Sequence, residues 1–148
     1  MDIIRNKKIE IQRLREVRDL FLFQCFTGLA YTDMASLTPG DFKKSDEGLY
    51  YVHGTRKKTG VEFIAILLKD AESIAMKYKF SLPIKSNQRL NAYLKEIATI
   101  CGIEKNLHTH MARHTAAMYL LNHRDPEIPK TTIMKIMGWT NDRMIRVY

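Results

Sequence analysis

The stretch LYYVHGTRKKTGVEFIAIL, residues 49–67, decides the fold class. It holds two β-prone runs, 49–53 and 61–67, joined by GTRKKTG with a glycine at each end. Tyr, Val, Phe and Ile suit the pleated surface of a strand, and a glycine-bounded polar link between two such runs is a hairpin signal. Because the link carries Arg56, Lys57 and Lys58, the hairpin has a basic tip.

On both sides of this hairpin the apolar residues recur at helical spacing. Upstream, Ile11, Leu14, Val17, Phe21, Leu22 and Cys25 place a helix over 9–27, and LFLFQCF within it is apolar nearly all round, as a centrally buried helix should be. Gly28 ends it, and a short helix over about 32–37 follows before Pro39. Downstream, helices are expected over 70–79, then over about 88–101 with Ser86 or Asn87 as N-cap, and over about 110–122 with Thr109 as cap. NHRDPEIPK is a two-proline loop, Thr131 or Thr132 opens a helix ending near Gly138, and a last helical segment begins at Asn141 or Asp142. The expected architecture is mainly α with a small antiparallel β-hairpin at one edge.

Composition bounds the partners. The chain has 148 residues, enough for one domain with a real core. Lys and Arg number 24 against 16 Asp and Glu, a formal charge of +8, which favours a polyanion as partner. Cys25 and Cys101 make neither a disulfide framework nor a zinc site, and read as reduced thiols of a cytoplasmic protein. The N-terminus lacks a signal-peptide core, and the apolar runs are too short to span a bilayer. The chain opens almost directly into a helix and stops inside a pattern, Met144 to Tyr148, so residues 1–148 read as a single domain, cut from a longer protein or from one that ends unusually early.

Four scattered elements carry chemistry. His110 and Arg113 stand three apart in the first turn of a helix, facing the same way, where free backbone N–H groups and the helix dipole favour an anion. Arg offers a rigid fork to phosphate oxygens, and His adds a donor. Lys58 sits at the hairpin tip, Trp139 follows Gly138, and Tyr148 lies nine residues beyond Trp139. Such a set suits phosphoryl transfer to a tyrosine oxygen, with a lysine protonating the leaving oxygen. Neither a metal nor a cofactor is called for, since Asp33, Asp41, Asp125, Glu127 and Asp142 share no helix face. Taken singly, each element has an ordinary explanation: a chance HxxR pair, a solvated turn, a core aromatic, a terminal tyrosine.

Together and in order, these elements resemble the tyrosine recombinase family, also called phage-type integrases, and most closely its branch on conjugative and mobilisable elements. RDLFLFQCFTGLAYTDMASLTPGDF is similar to the family's opening helical box, and RKKTGVEFIAILL to its catalytic-lysine hairpin. NQRLNAYLKEIATICGIEKNLHTHMARHTAAMYLL is similar to the helix leading into the HxxR box, and MGWTNDRMIRVY to the closing box with its tyrosine. The resemblance implies metal-independent cleavage and rejoining of DNA through a 3′-phosphotyrosyl link. Tyr148 would be the nucleophile, Arg113 the clamp on the scissile phosphate, His110 a phosphate contact and acid–base helper, and Lys58 the general acid. Trp139 falls where many members have His, and its indole N–H would donate to a phosphate oxygen. The implied partner is double-stranded DNA, held by a homotetramer of the full-length protein, with 1–148 alone monomeric and weak or inactive. His114 reads as packing, and His53 and His123 as surface residues.

One departure is serious. The family's first catalytic arginine follows Thr-Gly-Leu, where this chain has Ala30. Arg18, in an otherwise apolar helix, is the candidate replacement; the competing reading pairs it with Asp33 or Glu16 as a structural residue. Two other functions share much of the pattern: a tyrosine-type topoisomerase using the same pocket, and a non-catalytic DNA-binding derivative.

Overall fold

The computed structural model describes residues 1–122 and 127–147. Among the described residues, seven helices accompany a small sheet: α1 (Asp2–Asn6), α2 (Gln12–Thr27), α3 (Tyr31–Ala35), β1 (Phe42–Lys44), β2 (Tyr50–Thr55), β3 (Glu62–Ile66), α4 (Lys69–Lys77), α5 (Asn87–Ile100), α6 (Thr109–Asn122) and α7 (Lys130–Met137). Short 3-10 turns lie at Pro39–Asp41 and Asp142–Val147. The mainly helical fold with a small antiparallel sheet is as the sequence predicts. No helix among the described residues is long and apolar enough to cross a membrane.

The apolar sequence of α2 puts it at the centre. Leu14, Val17, Leu20 and Phe23 have no exposed surface, and α4, α5 and α6 pack around them. Burying each such side chain stabilises the fold by about 1.5–3 kcal/mol. The helix starts at Gln12 rather than residue 9 because its own arginines hold the preceding chain extended. Arg15 donates to the Glu10 carbonyl at 2.7 Å and Arg18 to that of Lys7 at 3.0 Å, while Ile9 is buried.

The sheet has three strands, ordered β1-β2-β3, all antiparallel. β1 was not legible as a strand. It is three residues long, paired with Phe42 opposite Val52, and it exists because the Ser45–Gly48 turn folds it onto β2. The Phe42 ring packs on Phe80, with centroids 5.3 Å apart, and Phe80 on Tyr50 at 5.3 Å. That aromatic contact accompanies an unusual exit from α4, where Lys79 and Phe80 both take positive φ, 51° and 61°.

Helix caps follow the sequence in part. Ser86, not Asn87, caps α5 by accepting from the Arg89 N–H. Thr109 does not cap α6: it is the first helical residue, and its hydroxyl donates to Asn87 of α5. A second, smaller apolar cluster lies apart from the main core. Ala117, Ile133, Met137 and Trp139 form it, with Leu120, Leu121, Ile128, Met134 and Ile145 alongside.

Candidate active site

Three chain segments meet where α2 ends. Gly28 closes that helix in the left-handed conformation (φ 70°), and its N–H donates to Gln24 O at 2.8 Å. A side chain at this position would sit 3.0 Å from the Met137 sulfur, so glycine also lets α7 approach. The buried Gln24 amide holds the Leu29 carbonyl at 3.1 Å. Against this turn lie the first turns of α6, with His110 and Arg113, and the C-terminal end of α7.

Arg113 ties these parts together. One terminal nitrogen donates to the Gly28 carbonyl and the other to the Met137 carbonyl. Both acceptors lie at helix C-terminal ends, where carbonyls lack intrahelical partners and a cation is favoured. His110, three residues earlier, has its ring parallel to that of His108, with centroids 6.5 Å apart. Its imidazolium form is disfavoured, first by the protein crowding one side of the ring, then by the positive charge of Arg113, and last by His108 and His114. His110 therefore stays neutral at pH values where an ordinary histidine begins to protonate, and it can accept a proton at neutral pH.

The basic hairpin enters the same corner through its base. Arg56 is 5% exposed and pairs with the equally buried Asp33, Nη1 to Oδ2 at 2.7 Å. The other Asp33 oxygen accepts the Lys57 N–H at 3.0 Å. Arg56 Nη2 reaches the Ile136 carbonyl at 3.2 Å, and its guanidinium lies 4.3 Å from the centre of the Phe63 ring. Its Nε finds no acceptor among the described residues. Gly138 is required beside it, since a side chain there would meet that Nε at 2.4 Å, and Gly138 is itself left-handed (φ 61°). Trp139, buried in the second cluster, follows this glycine, and its N–H closes α7 onto Met134 O at 2.8 Å.

The predicted site residues fare unequally. His110, Arg113 and Trp139 come to one corner. Lys58 stands exposed at the hairpin tip, two residues beyond the buried Arg56. Tyr148 lies outside the described residues, as do His123 and Asp125. Arg18 does not join the group. It sits ten residues before Gly28, about 15 Å away along α2, where it lines a shallow cavity of about 180 Å³ with Arg5, Asp19 and Asp70. Its Nε and Nη2 both donate to Asp19 at 3.2 Å, so neither Asp33 nor Glu16 is its partner. Asp33 is taken by Arg56, the one residue of this corner that the sequence reading passed over. The signal was present: TRKKT holds three cations, and a buried acid on α3 needs one of them. Among the described residues, no group of three His, Cys, Asp or Glu side chains could hold a metal.

The chain belongs to the phage integrase family, whose profile matches residues 2–148. Solved structures share the fold. XerH site-specific recombinase bound to a palindromic difH substrate, in a post-cleavage complex, has a TM-score of 0.76 at 20% identity and covers 99% of this chain. A lambda integrase dimer bound to a COC' core site gives 0.70 at 15% identity and 99% coverage, and XerA recombinase gives 0.66 at 16% identity and 97% coverage. This chain spans 45%, 55% and 60% of those three chains respectively. A sequence search of curated proteins finds no match.

Two outcomes are expected from this geometry. Arg56→Met strands the Asp33 carboxylate and should destabilise the domain by about 3–5 kcal/mol in urea unfolding, much of it recovered when Asp33→Leu is added. In an NMR titration of the DNA-free protein, His110 should have its midpoint below the usual histidine range. Arg113→Gln should raise that midpoint partway, because the crowding remains. The sign for stability follows from a depressed folded-state pKa: this contribution is present above the unfolded histidine pKa and lost as pH falls through the folded one.

Proposed function

We propose that residues 1–148 are the catalytic domain of a longer site-specific DNA recombinase that cuts and rejoins duplex DNA through a 3′-phosphotyrosyl intermediate. The observation that carries this reading is the convergence of His110, Arg113 and the closing-box backbone at one corner, with the basic hairpin anchored beside it, in a member of the phage integrase family. Relatives of the same fold were crystallised on their DNA substrates. By its resemblance we place it closest to the branch found on conjugative and mobilisable elements.

In the proposed reaction the guanidinium of Arg113 clamps the scissile phosphate. The phenol oxygen of Tyr148 attacks phosphorus, and its proton passes to neutral His110. The bond from phosphorus to the 5′ oxygen breaks, and the Lys58 ammonium gives that oxygen its proton. Rejoining reverses each step with a 5′ hydroxyl as nucleophile. Trp139 lines this corner, where its indole would contact a phosphate oxygen. Arg18 is left out on grounds of distance. Arg56 takes over the corner charge that Ala30 lacks: it docks on Asp33, one helical turn beyond position 30, and acts by positioning the hairpin and the end of α7. The full-length protein is read as a tetramer on two DNA sites.

Incubating the full protein with a nicked suicide substrate carrying its core site tests the reading. A covalent protein–DNA adduct is expected, absent in Tyr148→Phe. An adduct that survives the substitution refutes it, and relaxation without exchange between two sites would make the enzyme a topoisomerase. Fluorescence anisotropy should show that the 148-residue chain binds duplex DNA with a steep loss of affinity as salt rises. Salt-insensitive binding contradicts the proposed backbone contacts.

A further inference from the structure

We infer that Asn91 is a positioning residue for this site: it fixes the register of α6 and thereby where His110 and Arg113 stand. The inference rests on the function proposed above.

The buried face of α6 consists of Thr109, Ala112, Ala116 and Ala117. Alanines let α6 come close to α2, and the larger residues beside them, Met111, Leu120 and Leu121, are only partly buried. Packing therefore resists separation of the two helices far better than sliding of one along the other. Polar ties therefore help to set the axial position: Arg113 supplies one through Gly28 and Met137, and the first residue of α6 supplies another on the side of α5. The Thr109 N–H donates to Asn91 Oδ1 at 2.9 Å, and the Thr109 hydroxyl donates to Asn87 Oδ1 at 3.1 Å. Asn91 Nδ2 in turn donates to Asn87 Oδ1 at 3.4 Å, so both acceptors belong to one network on α5.

α5 is well placed to serve as the reference. Leu90, Leu94 and Ile97 are fully buried in the main core, and Ser86 caps its start. Unlike the alanine face of α6, these large side chains key α5 to its neighbours. Asn91 transmits that register to α6 through an N–H that an α-helix leaves without an internal partner. His110 is the next residue, and Arg113 lies one turn on. A shift of about 1 Å in such groups is enough to slow a reaction roughly a hundredfold.

The test compares Asn91→Ala with Asn91→Asp in the full protein, since the Asp carboxylate still accepts from Thr109. In the DNA-free protein, Asn91→Ala should speed exchange of the Thr109 amide by about tenfold or more, and Asn91→Asp should leave it protected. On the suicide substrate, Asn91→Ala should slow single-turnover adduct formation by roughly ten- to a hundredfold. DNA affinity should stay within about twofold, and Asn91→Asp should recover most of the rate. Adduct formation at the wild-type rate by folded Asn91→Ala overturns the inference, and so does equal loss in both variants. Should Asn91→Ala fail to fold, Asn87→Ala at an exposed position removes the hydroxyl tie; an unchanged rate there overturns the inference, and a slower one supports it. If the wild-type protein forms no adduct, the proposed function falls, and the Thr109 amide alone decides: its protection lost in Asn91→Ala supports the register role, and its protection unchanged ends it.

Discussion

The ion pair between Asp33 and Arg56 is the constraint on which the candidate site depends. An acid and a base, each about 95% out of water, are expensive to desolvate, and the expense is offset only if geometry is good and the remaining lone pairs are used. Here they are used. Asp33 accepts from Arg56 with one oxygen and from the Lys57 backbone with the other, and Arg56 passes a second bond to Ile136. Three segments far apart in sequence are joined by one carboxylate and one guanidinium. The hairpin base cannot leave α3 without stranding the buried Asp33 carboxylate, which fixes the base as far as Lys57.

Two arginines end α7. Arg56 holds the carbonyl of residue 136 and Arg113 that of 137, both at the negative end of the helix dipole. Neither contact is an ordinary cap, which would come from glycine or a local side chain. Beyond its own left-handed Gly138 cap, the end of this helix is thus also held from outside, by α3 through Asp33 and Arg56 and by α6 through Arg113. The arrangement also answers the alanine at position 30. Under the function proposed above, Arg56 brings a charge to this corner from a distant segment, docked on Asp33, which an argument confined to α2 and its neighbours in sequence could not find.

Much of this was legible in the chain. Apolar spacing located α2 and α6, and cap and glycine signals located α5 and α7, each to within a few residues, because these signals are local in sequence. The HxxR pair was found because three-residue spacing on a helix is a local rule. What escaped depends on partners distant in sequence. β1 is three residues long and becomes a strand through pairing with β2. Thr109 reads as a cap from its own neighbours, yet its partners are asparagines 18 and 22 residues earlier. Arg18 looked costly in an apolar helix, but the adjacent Asp19 satisfies it, and Lys77 and Tyr78 from α4 complete that cluster at 2.6 and 2.8 Å.

The division of the apolar residues into two clusters has a thermodynamic meaning. Trp139, Met137, Ile133 and Ala117 do not belong to the core built on α2, and polar bonds from Arg56 and Arg113 supplement the packing that joins the two. A domain built this way need not open all at once. Hydrogen exchange separates the two cases: amides of α7 that exchange well before those of α2, α4 and α5 mark the closing segment as a cooperative unit of its own. The end of α7 is thus joined to the main core by two guanidinium groups as well as by packing, so charge and apolar contact together set how firmly it is held.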